Sequence, residues 1–157
     1  KSIRSGRSGT STSSPPTSGR NLPGIDAAAA AMYALDATVP TLGIELLDAS
    51  ALGATVRMTV RADMCNGLGI VHGGMVFLLC DSAMAFASNS ELPDGTDALA
   101  STAEIDWLAP ARDGDVLTAV ATFTAGVSRT RIWDIRVTDQ NQRLVAVFRG
   151  RTRTVTR

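Results

Sequence analysis

Residues 66–90 read NGLGIVHGGMVFLLCDSAMAFASNS, and they contain the one long helix that the sequence predicts. The helix is expected over residues 73–90, directly after a loop rich in glycine. Its side chains are apolar on every side, so we expect other parts of the protein to enclose it completely. A helix of about 16–18 residues is roughly 25 Å long, which is enough to cross a domain.

Strand patterns surround this helix in the sequence. Residues 55–62 alternate apolar and polar side chains, as in a strand with one buried face. A shorter helix is expected to begin after Asp26, its N-cap, and to end near Thr38 because Pro40 follows. Together the elements predict an α+β fold with five or six antiparallel strands around one central helix. The other predicted strands cover residues 43–48, 98–108, 116–124, 130–138 and 143–155.

Composition excludes several classes of function. The chain has 157 residues, 45% of them apolar, and its 15 basic side chains balance its 15 acidic ones. Zero net charge argues against a nucleic-acid partner, and no apolar run is long enough to span a membrane. One histidine and two cysteines make a metal site improbable, and we expect no cofactor. The same two cysteines do not form a disulfide scaffold, which favours a reducing, cytoplasmic location.

Domain boundaries follow from changes in composition and charge. Residues 1–25 are rich in serine, glycine and proline and contain no acidic residue, so we predict a disordered N-terminal tail. A transit peptide is the alternative, but the glycines and prolines oppose an amphipathic helix. Residues 26–157 are predicted to form a single domain. Its last part, 116–157, carries eight arginines against two aspartates, which suits a small ligand that bears phosphates.

Asp81 is the first candidate catalytic residue. It lies midway along the predicted apolar helix, and no arginine or lysine occurs between residues 62 and 111. A buried carboxylate is costly without a partner. Either an arginine from the C-terminal part neutralises it, or it is a base or nucleophile whose pKa is raised by burial. The residue types alone leave both possibilities open.

The start of the helix is the second candidate. The first N–H groups of a helix have no partner within the helix, and Gly73 and Gly74 allow a substrate oxygen to approach them closely. Gly74 and Asp81 are seven residues apart and so lie on one face. His72 and Asn66 are adjacent polar candidates. The alternatives are a tight entry into the helix for the glycines, a structural hydrogen bond for His72, and a left-handed loop conformation for Asn66.

Residues 66–83 closely resemble the hotdog-fold acyl-CoA thioesterases, and among them the phenylacetate-degradation type. Residues 105–110 and 147–151 are also similar to that family. The resemblance implies a curved antiparallel sheet around the central helix, and dimers or tetramers with active sites shared between subunits. It also implies hydrolysis of an acyl-CoA, with an aromatic acyl group such as hydroxyphenylacetyl favoured.

Roles for single residues come from the same resemblance. Asp81 is expected to be the general base or nucleophile, and the Gly73 N–H to polarise the thioester carbonyl. Asn66 is expected to position water or the carbonyl, and His72 to orient its neighbours. Gly74, together with Ser101 or Thr102 on the following strand, is expected to contact the substrate. The expected CoA-phosphate ligands are Arg129, Arg131, Arg149 and Arg151.

Two rival functions are considered beside hydrolysis. The first is a hotdog hydratase or dehydratase acting on acyl-CoA or acyl carrier protein, but such enzymes often begin this helix with Pro-Gly, whereas this chain has Gly73-Gly74. The second is a non-catalytic acyl-CoA-binding module. An isolated Asp81 argues against it, because simple binding needs no unpaired carboxylate in that helix.

Overall fold

The computed structural model describes residues 24–157. Of the tail predicted for residues 1–25, residues 1–23 therefore lie outside the described part, and only Gly24 and Ile25 lie within it. Gly24 and Ile25 join the domain: the Ala49 N–H donates to the Gly24 carbonyl at 3.0 Å, and Ile25 forms a β-bridge with Ala49.

Six strands and three α-helices make up residues 24–157. A short 3₁₀ turn at Ala62–Met64 precedes the glycine-rich loop. The elements, in chain order, are α1 (Ala27–Leu35), α2 (Thr38–Thr41), β1 (Glu45–Ser50), β2 (Gly53–Thr59), α3 (Gly73–Asn89), β3 (Thr96–Trp107), β4 (Val116–Val127), β5 (Thr130–Thr138) and β6 (Leu144–Thr156).

The strands form one antiparallel sheet in the order β1-β2-β4-β5-β6-β3. All six strands contact α3, so the sheet wraps around this helix and the core lies between the two. The alternation predicted for β2 is observed, with Val56 and Met58 facing the core. This is the hotdog arrangement. The predicted α+β class and central helix are confirmed, and of the predicted five or six strands the sheet has six.

The first helix ends earlier than predicted. It stops at Leu35, and the carboxylate of Asp36 then accepts the N–H groups of Thr38 and Val39 at 2.8 and 2.9 Å. These bonds start α2, and Pro40 lies within its first turn. Proline is tolerated there because the first N–H groups of a helix need no partner within the helix. The prediction that the first helix continues to about Thr38 and is ended by Pro40 was therefore wrong.

The central helix is not enclosed on every side by its own chain. Leu79 and Ala83 are fully buried, whereas Phe77, Leu78 and Asp81 are half-buried. The half-buried Asp81 lines a cavity together with Ala98–Ala100 of β3, and among residues 24–157 β3 has a neighbouring strand, β6, on one side only. Within residues 24–157, complete enclosure is thus not achieved, and the open side is next to a free strand edge.

Candidate active site

The start of α3 presents a backbone N–H group that has no partner in the part of the chain described by the structure. His72 is the N-cap, and its Nδ1 accepts the Gly74 N–H at 3.2 Å. The Met75 N–H donates to the His72 carbonyl at 2.9 Å. No acceptor for the Gly73 N–H lies among residues 24–157. His72 thus caps α3, and among the described residues the Gly73 N–H is a free donor at the positive end of the helix dipole.

Trp107 fixes the position of this donor. Its Nε1–H donates to the Gly73 carbonyl oxygen at 3.2 Å, so the indole and the first peptide of α3 are joined. A Cβ added to Gly73 would lie only 3.1 Å from the indole ring. Glycine at this position therefore lets the ring lie directly against the helix start. Sequence reasoning gave Trp107 no role, although residues 105–110 belong to the segment that resembles the family.

Asn66 and Gly73 line the same cavity, of about 390 Å³, together with Val76 and Trp107; we call it the Gly73 cavity. The Asn66 Oδ1 accepts the Leu68 N–H at 2.9 Å, which stabilises the loop. Because this bond uses only the side-chain oxygen, the Nδ2 group of Asn66 is left without a partner among the described residues.

The left-handed conformation considered for Asn66 occurs instead at Gly69, whose φ is +69°. Arg112 Nη1 donates to the Gly69 carbonyl at 3.3 Å. This contact anchors the loop that carries Asn66. The sequence gave no signal for it, because Arg112 is more than 40 residues away from the loop along the chain.

Asp81 lines a different cavity, of about 310 Å³, with apolar walls that include Met84 and Ala98–Ala100; we call it the Asp81 cavity. Its carboxylate is half-buried, and burial raises its pKa above the ordinary value of 3.8. Within the described part of the chain, no arginine or lysine lies within 4 Å of it. Among residues 24–157, therefore, no arginine neutralises Asp81, and its carboxylate faces a cavity.

Cys80, the neighbour of Asp81, is not suited to be a nucleophile. It is completely buried, and burial, together with the nearby Asp81 charge, raises the pKa of its thiol to about 12. The thiol therefore stays protonated at neutral pH, and only thiolates attack carbonyls effectively.

One copy of the chain does not bring Gly73 and Asp81 to a common point. They are eight residues apart on α3, or about 12 Å along the helix axis, and they line separate cavities. Gly74 is exposed and lines neither cavity. Within a single chain, the Gly73 N–H and the Asp81 carboxylate therefore cannot act on the same carbonyl, although both lie on α3.

Ser101 and Thr102 are exposed on β3, at a bulge in its pairing with β6. The Ser101 hydroxyl donates to the Arg151 carbonyl at 3.2 Å. Neither residue lines the Asp81 cavity, which Ala100 reaches instead. The structure thus keeps these hydroxyls near the site but outside the cavity of their own chain.

The four arginines expected to bind CoA phosphates differ in their surroundings. Arg149 donates twice to the Asp134 carboxylate, at 2.7 and 2.8 Å, so its charge is already paired. No carboxylate lies within 4 Å of Arg129, Arg131 or Arg151 in the region 24–157. None of the four lines the Gly73 or Asp81 cavity.

Two further observations concern the whole described region. No helix in residues 24–157 is long and apolar enough to cross a membrane. Within the same residues, no group of three or more His, Cys, Asp or Glu side chains is placed to bind a metal ion.

A six-stranded antiparallel sheet around one central helix defines a protein of the hotdog class. Comparison with known proteins agrees, since residues 68–146 match the thioesterase superfamily. The chain belongs to this superfamily and is a thioester hydrolase of the type that includes PaaI.

Individual relatives support this assignment. The acyl-coenzyme A thioesterase PaaI of Escherichia coli (strain K12) is 43% identical over 122 residues, which are 78% of this chain and 85% of the relative. The structure of E. coli PaaI, from the phenylacetic acid degradation operon, superposes with a TM-score of 0.76 at 42% identity and covers 82% of this chain and 91% of its own. The structure of a mutant of the phenylacetic acid degradation protein PaaI from Thermus thermophilus superposes with a TM-score of 0.70 at 32% identity. The match covers 75% of this chain and 98% of that one.

Proposed function

We propose that the protein hydrolyses acyl-CoA thioesters to a free acid and CoA, and that aromatic acyl groups such as hydroxyphenylacetyl are preferred. The observation that carries the proposal is the pair of unused groups on α3: the Gly73 N–H without an acceptor and Asp81 without a cation among the described residues. The first suits a carbonyl oxygen that becomes negative, and the second suits a base or nucleophile. The relative named acyl-coenzyme A thioesterase PaaI supports acyl-CoA as the class of substrate.

The site requires two copies of the chain. Strand β3 is a free edge of 12 residues, and a long free edge favours pairing with another strand. Gly73 lies at the Trp107 end of β3, whereas the Asp81 cavity is lined by Ala98–Ala100 near the other end. Antiparallel pairing of β3 with β3 of a second copy, centred near Thr102, therefore places Gly73 of one copy beside Asp81 of the other.

The reaction uses these groups as follows. The thioester carbonyl oxygen accepts the Gly73 N–H of one copy. Asp81 of the partner subunit takes a proton from water, the water oxygen bonds to the carbonyl carbon, and the C–S bond breaks. The sulfur receives the proton, and the acid and CoA leave. In the alternative course the Asp81 carboxylate bonds to the carbonyl carbon, the C–S bond breaks and CoA leaves as a thiolate. Water then hydrolyses the mixed anhydride to the free acid and Asp81, and a proton from that water goes to the thiolate.

The polar residues around this centre have supporting roles. Asn66 directs its free amide group towards the carbonyl or the water in the Gly73 cavity. Ser101 or Thr102 contacts the substrate across the paired β3 strands. The CoA phosphates are bound by Arg129, Arg131 and Arg151, which are free of carboxylate partners among the described residues, rather than by Arg149, which Asp134 already occupies.

We expect no cofactor beyond the CoA of the substrate itself. We also place the enzyme in the cytoplasm, since its two cysteines are free and cytoplasmic thiols remain reduced.

The first experiment measures release of CoA thiol from a panel of aromatic and aliphatic acyl-CoAs. Gly73→Pro then removes the N–H, while Gly73→Ala keeps it and adds the same Cβ; proline is accepted at the first position of a helix. We expect the proline variant to lose activity by about a hundredfold or more relative to the alanine variant. Equal activities of the two variants would contradict the role of this N–H group.

Mixing experiments test the sharing of the site. Coexpression of Gly73→Pro chains with Asp81→Asn chains yields mixed dimers in which one of the two sites has both groups intact. Random assembly of two inactive variants should therefore restore about a quarter of the wild-type activity. Mixtures as inactive as the separate variants would show that each site is formed within one chain. Size-exclusion chromatography in which the active wild-type protein elutes as a monomer would also show that each site is formed within one chain.

A further inference from the structure

We propose that Met32 sets the length of the acyl group that the enzyme accepts, because it is the movable part of a wall between two cavities. The inference rests on the proposed function and identifies a residue that decides the substrate range. Met32 lies on α1 and lines the Asp81 cavity. It also lines a second cavity, of about 500 Å³, between α1 and the residues that follow α3; we call it the α1 cavity.

Three residues line both cavities: Met32, Asn89 and Asp97. Two of them are held in place. The Asn89 side chain makes three hydrogen bonds of 2.9–3.0 Å, to the Ala85 carbonyl and to both backbone groups of Ala98. Asp97 accepts two bonds from Arg157, at 2.6 and 2.8 Å. These two residues therefore form a fixed part of the wall.

Met32 differs from both in having no polar group to fix it. Its side chain is half-buried, unbranched and flexible, and it packs against the edge of the core. Helix α1 itself is anchored near both ends. The Asp26 carboxylate at its start accepts the Glu91 N–H at 3.3 Å, and the Tyr33 hydroxyl donates to the Ile44 carbonyl at 3.0 Å. Opening between the cavities is thus a matter of the Met32 side chain rather than of the helix.

The volumes of the two cavities indicate which acyl groups Met32 excludes. A volume of about 310 Å³ beside Asp81 accommodates a phenyl ring or a short chain, since a cavity of about 150 Å³ already binds benzene. A longer straight chain has to pass Met32 to reach the α1 cavity. Ala28, Leu35 and Leu92 line an apolar part of the α1 cavity, whereas Asp94 and Arg157 line a charged part. Each methylene that reaches the apolar part adds about fourfold in affinity. Removing the Met32 side chain therefore favours long acyl groups and leaves short ones largely unaffected.

The test compares kcat/KM for dodecanoyl-CoA and hexanoyl-CoA in Met32→Ala, Met32→Phe and wild-type enzyme. We expect Met32→Ala to raise the ratio of dodecanoyl to hexanoyl by about tenfold or more, and Met32→Phe not to raise it. Tyr33→Phe is the control, because it removes an anchor of α1 and leaves the wall in place; its ratio should stay at the wild-type value. A smaller rise in Met32→Ala, or an equal rise in Tyr33→Phe, overturns the proposal.

A second readout separates this inference from the proposed function. The same variants are titrated with S-dodecyl-CoA and S-hexyl-CoA, thioethers that cannot be hydrolysed, and the ratio of their dissociation constants should change by the same factor of about ten. If the wild type hydrolyses no thioester, the proposed function fails, and the binding ratio still decides the role of Met32. Lack of binding of either thioether to the wild type overturns the role of Met32. Should Met32→Ala not fold, Met32→Val provides the same comparison.

Discussion

Replacing Asp81 with asparagine should abolish activity and at the same time stabilise the fold. The amide has almost the shape of the carboxylate but neither its charge nor its basicity. Loss of a general base costs about 10²–10⁴ in rate, so we expect kcat/KM to fall by at least about a hundredfold, or about 2.7 kcal/mol of barrier. The structure explains why stability changes in the opposite sense. The carboxylate is half-buried and has no cation within 4 Å among the described residues.

The pH dependence of this stabilisation follows from the pKa of Asp81. Burial raises that pKa above 3.8 in the folded state, so the folded protein binds a proton more readily than the unfolded chain. The wild type consequently loses stability as pH rises from about 4 through the raised pKa, and Asp81→Asn does not lose it. The difference in unfolding free energy between the two should be near zero below pH 3.8 and constant above the raised pKa. The acid limb of wild-type kcat/KM should lie above 3.8 as well.

The assay combines urea unfolding of both proteins at several pH values, at one protein concentration, with release of CoA thiol. Asp97→Asn is the matched control, since Asp97 lines the same cavity but bonds to Arg157, which lowers the pKa of its carboxyl. Its replacement should decrease stability above about pH 4, the opposite sign. Hydrolysis at the wild-type rate by Asp81→Asn would refute the catalytic role. An Asp81→Asn protein that is less stable than wild type at about pH 8 would refute the argument from burial.

Three further changes test other parts of the structure. His72→Ala removes the acceptor for the Gly74 N–H and should cost about 0.5–2 kcal/mol in urea unfolding, whereas His72→Asn keeps a cap and most of that stability. Gly150→Ala adds a Cβ where Met84 already lies, and this overpacking should cost about 1–3 kcal/mol, seen as a lower Tm. Substitution of Arg131 and Arg151, two of the three arginines proposed to bind the CoA phosphates, with glutamine should raise KM for acyl-CoA and reduce its dependence on salt; an unchanged salt dependence would exclude them as phosphate ligands.

The fold was accessible from sequence because its signals are local. The apolar run in residues 73–90 and the alternation in 55–62 each report the environment of their own segment, and both segments formed the predicted element. The end of α1 at Leu35 was not predicted, because the sequence signal used for it was the position of Pro40. Asp36 starts a new helix with its side chain, and the Pro40 rule says where a helix cannot continue but not where another begins.

The site was accessible only in part. Gly73, Asp81 and Asn66 were selected for their chemistry, and the structure gives each a cavity. Trp107 and its bond to the Gly73 carbonyl were not foreseen, because the contact joins residues 34 positions apart. Pairing of Arg149 with Asp134 was missed for the same reason, since cross-strand partners depend on register, which composition does not report.

In the proposed mechanism, the spacing on α3 explains why one helix carries both the Gly73 N–H and the Asp81 carboxylate and why a second copy is still needed. A carboxylate in the first turn of the helix would accept the free N–H groups there, and its pKa would fall. Both groups would then be satisfied, and neither would act on substrate. Eight residues of separation keep the Gly73 N–H unbonded and the Asp81 carboxylate uncompensated, but they also place the two about 12 Å apart. In the proposed dimer, antiparallel pairing of the two β3 strands places the start of each α3 beside Asp81 of the other copy, so the separation within one chain does not keep the two groups apart between chains.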